Sequence, residues 1–359
     1  MKKYKVGIIG CTGMVGQRFA LILSRHPWFE VAAVAASARS AGRTYAEAVE
    51  GRWKLDEPLP EALGALRVFD ATADVEKVAG LVDFVFCAVD MKVEDTMELE
   101  YLYAKHECPV VSNNKAHRWT PDVPMLIPEI NADHAQVIPY QRKRLGTERG
   151  FIAVKPNCSI QGYVPALTAL RDLGIERVAV CTYQAISGAG KTFREWPEML
   201  DNVIPYIGGE EEKSEREPLK LWGKLENGVI VPASDPVITA QCIRVPVTNG
   251  HMAAVFASFE KKIPNEEIIE RWVSYRGRAQ ELELPSAPKQ FIHYFEENDR
   301  PQTKLDRDLE GGMAVSLGRL RNDTVFDIKF VGLAHNTLRG AAGGAVEAAE
   351  LLCAEGYID

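Results

Sequence analysis

Short apolar runs broken by glycine and polar residues divide the chain into alternating strands and amphipathic helices. Tyr4 to Ile9 reads as a buried strand, and Gln17 to Ser24 keeps its apolar positions on one helical face. Glu30 to Ala36, Leu81 to Val89, Pro109 to Ser112 and Phe151 to Val154 repeat the strand pattern, with a helix from about Val93 to Lys105 among them. Such alternation predicts a parallel, doubly wound α/β sheet whose ligands sit at the carboxyl ends of its strands. Pro121 to Ile130, with Pro124 and Pro128 inside it, reads as an irregular crossover, and the basic stretch Gln141 to Gly150 as a surface segment. A helical pattern through Val164, Leu167 and Leu170 follows, then a strand from Arg177 to Gln184. Met252 to Phe259, begun by His251, is another strand, as are Gly312 to Leu320 and Val325 to Leu333. In the last two, the alternation of Val315, Leu317 and Arg319 and of Phe326, Ile328 and Phe330 predicts an antiparallel sheet with one covered face. Small residues fill a final helix from Asn336 to about Cys353, which could return to the first domain and close its cleft.

At 359 residues the chain has room for about two domains, and 46% apolar residues supply a sizeable core. The break is expected at residues 157/158, giving a unit of 1–157 completed by 336–359 and a second unit of 158–335. A net charge of −8 argues against nucleic acid or an anionic membrane surface as main partner. No apolar run is long enough to span a membrane. The apolar stretch after the charged start, Val6 to Ile9, is too short for a signal peptide. Seven scattered cysteines without CxxC spacing predict reduced thiols in the cytoplasm and no metal site.

The first turn carries Gly10-Cys11-Thr12-Gly13-Met14-Val15-Gly16 between strand and helix. Glycines spaced by three allow a tight turn, close approach of backbone to a pyrophosphate, and a helix N-terminus aimed at it. No acid follows the second strand; Ser37, Arg39, Ser40 and Arg43 stand there instead. Hydroxyls and guanidinium groups suit a ribose 2′-phosphate, so NADP is preferred to NAD. Asn114 and Arg118 fall at a strand's carboxyl end, where Arg118 could hold an oxyanion or simply belong to a solvated loop.

Lys155-Pro156-Asn157-Cys158-Ser159-Ile160-Gln161-Gly162 puts a lone cysteine between a strand and a helical pattern. A thiol there feels the positive end of a helix, which favours the thiolate and a nucleophilic role; a buried structural cysteine is the alternative. A cysteine nucleophile needs an acid/base partner distant in sequence. His251, after Arg244-Val-Pro-Val-Thr-Asn-Gly250, has the most site-like setting, with His117 and His335 as competitors. Arg244 is read as opening an extended apolar segment. Glu210 and Lys213, one helical turn apart, lie in a charge run that otherwise reads as a solvated face. Gly190-Lys191-Thr192 after a strand partly matches a phosphate loop, but Ala185 stands where its first glycine belongs.

The Gly10–Gly16 turn, Pro156-Asn-Cys-Ser159, Gln184-Ala-Ile-Ser-Gly-Ala-Gly190, Arg244 to His251 and His335-Asn-Thr-Leu-Arg-Gly-Ala-Ala-Gly343 together resemble the aspartate-β-semialdehyde dehydrogenases nearly end to end. The Ser37–Ser40 loop and Asn113-Asn-Lys-Ala-His-Arg-Trp119 resemble the archaeal and fungal branch. Cys11 and Lys155 depart from many relatives, at no proposed catalytic position. The resemblance implies a Rossmann-like N-terminal domain plus an α+β catalytic and dimerisation domain with a mainly antiparallel sheet. It implies NADPH-dependent reductive dephosphorylation of aspartyl phosphate to aspartate semialdehyde, for lysine, threonine and methionine synthesis, by a homodimer or homotetramer. Carried over, Cys158 is the nucleophile, His251 the acid/base and Gln184 the residue orienting the acyl intermediate. Arg244 grips the substrate carboxylate, Glu210 its amine, and Arg118 with Asn114 and Lys213 the phosphate. Gly10, Thr12, Gly13, Met14, Val15, Gly16, Ser37, Arg39, Ser40, Ser187, Gly188 and Asn336 line NADP. Cys158 then forms a thioester that takes a hydride, and an imidazole with its ordinary pKa near ~6.5 suits the proton handling. A malonyl-CoA reductase, a non-catalytic NADP-binding module and a P-loop NTPase are the other readings.

Overall fold

A computed structural model describes residues 3–359. Its first sheet contains β1 (Tyr4–Ile9), β2 (Phe29–Ala36), β3 (Val68–Asp70), β4 (Phe84–Cys87), β5 (Val110–Ser112) and β6 (Ile152–Val154). They run in the order β3-β2-β1-β4-β5-β6, and every pair is parallel. The order reverses between β1 and β4, which opens a crevice at their carboxyl ends. β4, β5 and β6 are buried, mainly Val, Ile and Phe, and β1 is buried from Val6 to Ile9, because the sheet is covered on both faces.

The remaining strands are β7 (Ile175–Gln184), β8 (Lys224–Glu226), β9 (Val229–Val231), β10 (Val237–Arg244), β11 (His251–Phe259), β12 (Ile292–Phe295), β13 (Val315–Asn322) and β14 (Ile328–Ala334). Apart from the β8-β9 hairpin they form a sheet in the order β10-β7-β11-β14-β13-β12. Its three central pairs are antiparallel and its two outer pairs parallel. β7 and β11 therefore end together, and this places Gln184 and His251 at one rim of the sheet.

Several expectations change. Arg244 closes β10 rather than opening an extended segment. That strand escapes the periodicity because it is an edge strand whose residues Val237 to Gln241 are exposed or half-buried. Glu211 and Glu215 accept from the Cys242 and Ala240 amides along that edge. Part of the acidic run thus covers a sheet edge. Gln141 to Gly150 is not wholly surface: Ile138–Leu145 is helical, and buried Gln141 clips β6 by accepting from the Ile152 amide at 2.6 Å and donating to its carbonyl at 2.9 Å.

The helix Gly343–Ala354 is buried along almost its whole length. Its Ala345, Val346, Ala349 and Leu352 share a core with Val6, Phe84, Phe86 and Val111 of the first sheet. Ahead of it, Arg339 is 1% exposed and donates from Nη1 to Glu129 at 2.8 Å and to Glu347 at 2.6 Å, with a further contact to Glu129. Burial raises the Glu347 carboxyl well above its ordinary value. Arg339→Ala would strand these carboxyl groups in the core. We expect it to cost about 3–5 kcal/mol, read as a lower urea midpoint at unchanged slope; a midpoint within error of the parent would show the cluster to be energetically idle.

Candidate active site

Cys158 lies just past β6, at the start of a four-residue turn, Ser159–Gly162, that leads into the short helix Val164–Thr168. The Asn157 side chain fixes the turn from both ends. Its Oδ1 accepts from the Ser159 amide at 2.8 Å and hydroxyl at 2.6 Å, and its Nδ2 donates to Glu210 at 3.1 Å. From the other side the turn meets Gly340, where an added Cβ would stand 2.8 Å from that of Cys158.

The helix Glu210–Leu221 lines the site with one face. Spacings of three and four put Glu210, Lys213, Ser214, Glu217 and Lys220 in one stripe. Lys213 donates to Glu210 at 2.6 Å, and the Ser214 hydroxyl lies 3.2 Å from that of Ser159. Glu217 accepts from Arg118 at 2.8 Å and from the Asn157 amide at 2.6 Å. Lys220 donates to the carbonyls of Arg118, Thr120 and Val123. Arg118 also donates to the carbonyls of Lys155 and Asn113, which leaves N–H groups on its two terminal nitrogens free.

At the rim of the second sheet, the Gln184 amide donates to Glu210 and to Thr182. Arg244 is anchored by one bond, from Nη1 to the Ala185 carbonyl at 2.6 Å. His251 Nδ1 accepts the Ala185 N–H at 3.0 Å, so the ring proton sits on Nε2. That Nε2 is buried and has no partner among the described residues. An added Cβ on Gly188 would fall 2.8 Å from Arg244 Nη1 and 3.0 Å from His251 Nε2, so the two groups face one small space. The competing histidines are occupied elsewhere. His117 bridges Thr120 and the Met97 carbonyl, while His335 accepts the Thr337 and Leu338 amides.

A groove of about 450 Å³ opens at the crevice of the first sheet, lined by Gly10, Thr12, Gly13, Ser37, Arg39 and Met91 among others. The helix Met14–Leu23 begins there at Gly13, carries Val15 and Gly16 in its first turn, and has no side-chain cap. Its first N–H groups are therefore free for an anion. Gly10 has φ +89°, and a Cβ would lie 2.4 Å from the Ala88 carbonyl oxygen. A Cβ on Gly16 would lie 2.2 Å from the Gly10 oxygen, so the turn admits no side chain at either place. These donors and the Arg39 guanidinium fit a phosphorylated dinucleotide. Ser40 is buried behind the loop. Asn336 donates to the Ser187 hydroxyl at 2.8 Å and accepts from the Gly250 amide at 2.8 Å, joining the loops around Gly188 and His251.

Charges at the site oppose one another. Burial and Glu210 raise the Cys158 thiol to about 11 against the pull of Lys155, Arg118 and Arg244. Burial thus works against the thiolate that the position at a helix start leads one to expect. The turn is too short for much dipole, and burial outweighs it. Burial likewise pushes Lys155 down to about 7. Burial and Arg244 lower His251 to about 3, so its imidazole stays neutral instead of titrating near ~6.5. Burial alone would raise Glu210, but Lys213 and the Asn157 and Gln184 amides hold it below its ordinary value.

The structure thus brings Cys158, Gln184, Glu210 and Arg244 together with His251, and sets Arg118 beside the turn that carries Cys158. It treats Asn114 differently. Its amide is spent on Cys87 at 3.3 Å and on the buried Glu100 at 2.9 Å. Lys191 belongs to no phosphate loop: a four-residue turn, Ile186–Ala189, replaces the helix, and the ammonium sits 4.5 Å over the Trp196 ring. Sequence reasoning missed Asn157, Glu217, Lys220 and Gly340. The i, i+3, i+4 spacing from Glu210 could have found Glu217 and Lys220.

A family model described as semialdehyde dehydrogenase, NAD binding domain, matches residues 5–138, and one described as semialdehyde dehydrogenase, dimerisation domain, matches residues 167–339. The aspartate-semialdehyde dehydrogenase of Methanothermobacter thermautotrophicus is 43% identical over 97% of this chain and 98% of its own. That of Aspergillus fumigatus is 42% identical over 99% of each chain. Among solved structures, the aspartate semialdehyde dehydrogenase of Candida albicans with NADP superposes with a TM-score of 0.89 at 38% identity, covering 99% of this chain and 100% of that one. The aspartate semialdehyde dehydrogenase II of Vibrio cholerae gives 0.73 at 26% identity, covering 98% and 99%.

Proposed function

The chain belongs to the aspartate-semialdehyde dehydrogenase family, and we propose that it carries out the reaction that names the family. It reduces L-aspartyl 4-phosphate to L-aspartate 4-semialdehyde and phosphate, reversibly, with NADPH, as a step of amino-acid biosynthesis. One observation carries the choice of substrate: two groups of opposite charge flank the site, Glu210 bonded by the Asn157 side chain beside Cys158 and Arg244 facing the space it shares with His251. An acyl group flanked by an ammonium and a carboxylate matches them. A malonyl thioester has no ammonium for Glu210, so the CoA-dependent reading is not favoured, and with no phosphate loop at Lys191 neither is the NTPase.

The Cys158 thiolate attacks the acyl carbon, forming the C–S bond as the C–O bond to phosphate breaks. Phosphate leaves toward the free N–H groups of Arg118, with Lys213 at the rim; Asn114 supports the loop through Glu100. NADPH supplies the hydride that reduces the thioester. His251 donates its Nε2–H to the oxyanion that develops in each step and stays neutral. The tetrahedral adduct then expels the Cys158 thiolate, so the nucleophile is recovered without a proton passing through the imidazole. Gln184 holds the acyl carbonyl in line.

Gly10 to Gly16 are assigned to the pyrophosphate, Ser37 and Arg39 to the 2′-phosphate side, and Ser187, Gly188 and Asn336 to the nicotinamide side, with Ser40 backing the loop. The domain division adopted is 1–157 with 336–359, and 158–335. No helix among the described residues is long and apolar enough to cross a membrane. A cytoplasmic enzyme is proposed from the cysteine usage, seven scattered residues without CxxC spacing.

The outer face of the second sheet presents half-buried Tyr183, Ile243, Met252, Phe256 and Val331. An apolar sheet face of this kind fits a second copy of the chain, and a homodimer is proposed through it. Phe256→Glu should convert the dimer to monomer in sedimentation velocity; an unchanged mass would place the contact elsewhere.

The test of the function is NADP reduction with aspartate semialdehyde. Turnover should require phosphate or arsenate. Absence of such turnover together with robust malonyl-CoA reduction would reverse the assignment.

A further inference from the structure

We propose that Glu217 is a positioning residue that ties Arg118 to the backbone of the nucleophile's turn, so that phosphate and nucleophile are placed by one carboxylate. The inference rests on Arg118 being the phosphate ligand.

Glu217 is fully buried, and its two oxygens do different work. One accepts from Arg118 Nη1 at 2.8 Å, and the other from the Asn157 amide at 2.6 Å, one residue before Cys158. A carboxylate is the one short side chain that offers an acceptor to both donors, since an amide of the same shape turns a donor toward one of them. The other bonds to the arginine run from Nε to the Lys155 carbonyl and from Nη2 to the Asn113 carbonyl. Both are neutral acceptors, so Glu217 is the only carboxylate paired with Arg118 among the described residues. Lys220, one turn on, fixes the loop carrying Arg118 through three carbonyls. Arg118 is thus held from the helix side, and one N–H on each of its terminal nitrogens is left for the proposed phosphate.

This arrangement has a signed consequence. The Glu217 charge partly cancels that of Arg118, and so moderates the grip on phosphate that a reversible enzyme must release. The same carboxylate holds the Asn157 amide, and through it the placement of Cys158. A residue that only stabilised the fold would weaken phosphate binding and turnover together when altered. Glu217 should separate them.

Glu217→Gln is the test, assayed in the direction of semialdehyde oxidation with inorganic phosphate varied. The expected result is a several-fold lower KM for phosphate, because Arg118 keeps an acceptor but loses a counter-charge. With it kcat should fall ~10- to 100-fold, because the turn before Cys158 loses its anchor. NADP affinity should stay near that of the parent, and the variant should be folded at the assay temperature with a lowered melting temperature, because a buried arginine loses its counter-charge. A phosphate KM that rises or does not move, or an unchanged kcat, in folded protein overturns the inference. Arg118→Lys measured alongside separates the two claims. If its phosphate KM is unaltered, the assignment of the phosphate site fails. If it rises and Glu217→Gln lacks the opposite shifts, the inference alone fails. Should Glu217→Gln not fold, hydrogen exchange on the unaltered chain decides. Saturating inorganic phosphate draws Arg118 away from Glu217 and should slow exchange at the Asn157 amide, whereas exchange that phosphate does not alter overturns the inference.

Discussion

Cys158→Ser abolishes turnover, by at least ~10⁴-fold in kcat, and leaves NADP binding within about twofold of the parent. Burial and Glu210 already raise the thiol to about 11. A serine hydroxyl in the same setting has a far higher proton affinity and cannot serve as an anionic nucleophile. The groove at Gly10, Gly13 and Arg39 does not include Cys158, so cofactor affinity should survive. Steady-state rates paired with NADP titration by fluorescence check both halves. A serine variant that turns over at more than a hundredth of the parent rate would remove Cys158 from the chemistry. A module that binds NADP without catalysis would show no reaction to lose.

His251→Ala should lower kcat by about 10²–10³-fold, the usual cost of one donor to a developing oxyanion. His251→Gln, which can again present an N–H, should recover part of that loss. The pH profile discriminates further. The buried imidazole is lowered to about 3, so its neutral form persists throughout pH 5–9 and contributes no acid limb. The thiol lies above that range, so the thiolate fraction, and with it kcat/KM for aspartate semialdehyde, should climb with pH before any plateau. A rate that breaks near ~6.5 in the parent enzyme and loses that break in His251→Gln would restore the imidazole as a proton carrier.

The parallel sheet was legible because most of its strands carry short apolar runs and its helices are amphipathic, and because the Gly10–Gly16 turn sits between the first of each. The helix Val93–Lys105 carries its boundaries in its own pattern. β3 and β10 are both edge strands with mostly half-buried or exposed residues, so neither prints a period that can be read. The site divides along the same line. Cys158, His251 and Arg244 stand within two residues of a glycine or proline, which marks a bend near chemistry. Glu217 and Lys220 lie within an acidic, basic-dotted helix whose sequence resembles a solvated face. Unless Glu210 is taken as the anchor, the sequence does not say which side of that helix is buried. The direction of the Cys158 shift was also beyond the sequence. A position at a helix start argues for thiolate, whereas the short turn and the depth of the site are three-dimensional facts.

On the roles proposed for Glu210 and Arg244 the acyl group is that of an amino acid, and the central claim is that it is carried on Cys158 as a thioester. Mass spectrometry of the enzyme mixed with aspartyl phosphate in the absence of NADPH tests this most directly. The account predicts one aspartyl group on the peptide containing Cys158, released by hydroxylamine and by added NADPH. An unmodified Cys158 peptide from enzyme that remains active, or the aspartyl group on any other residue, would contradict it.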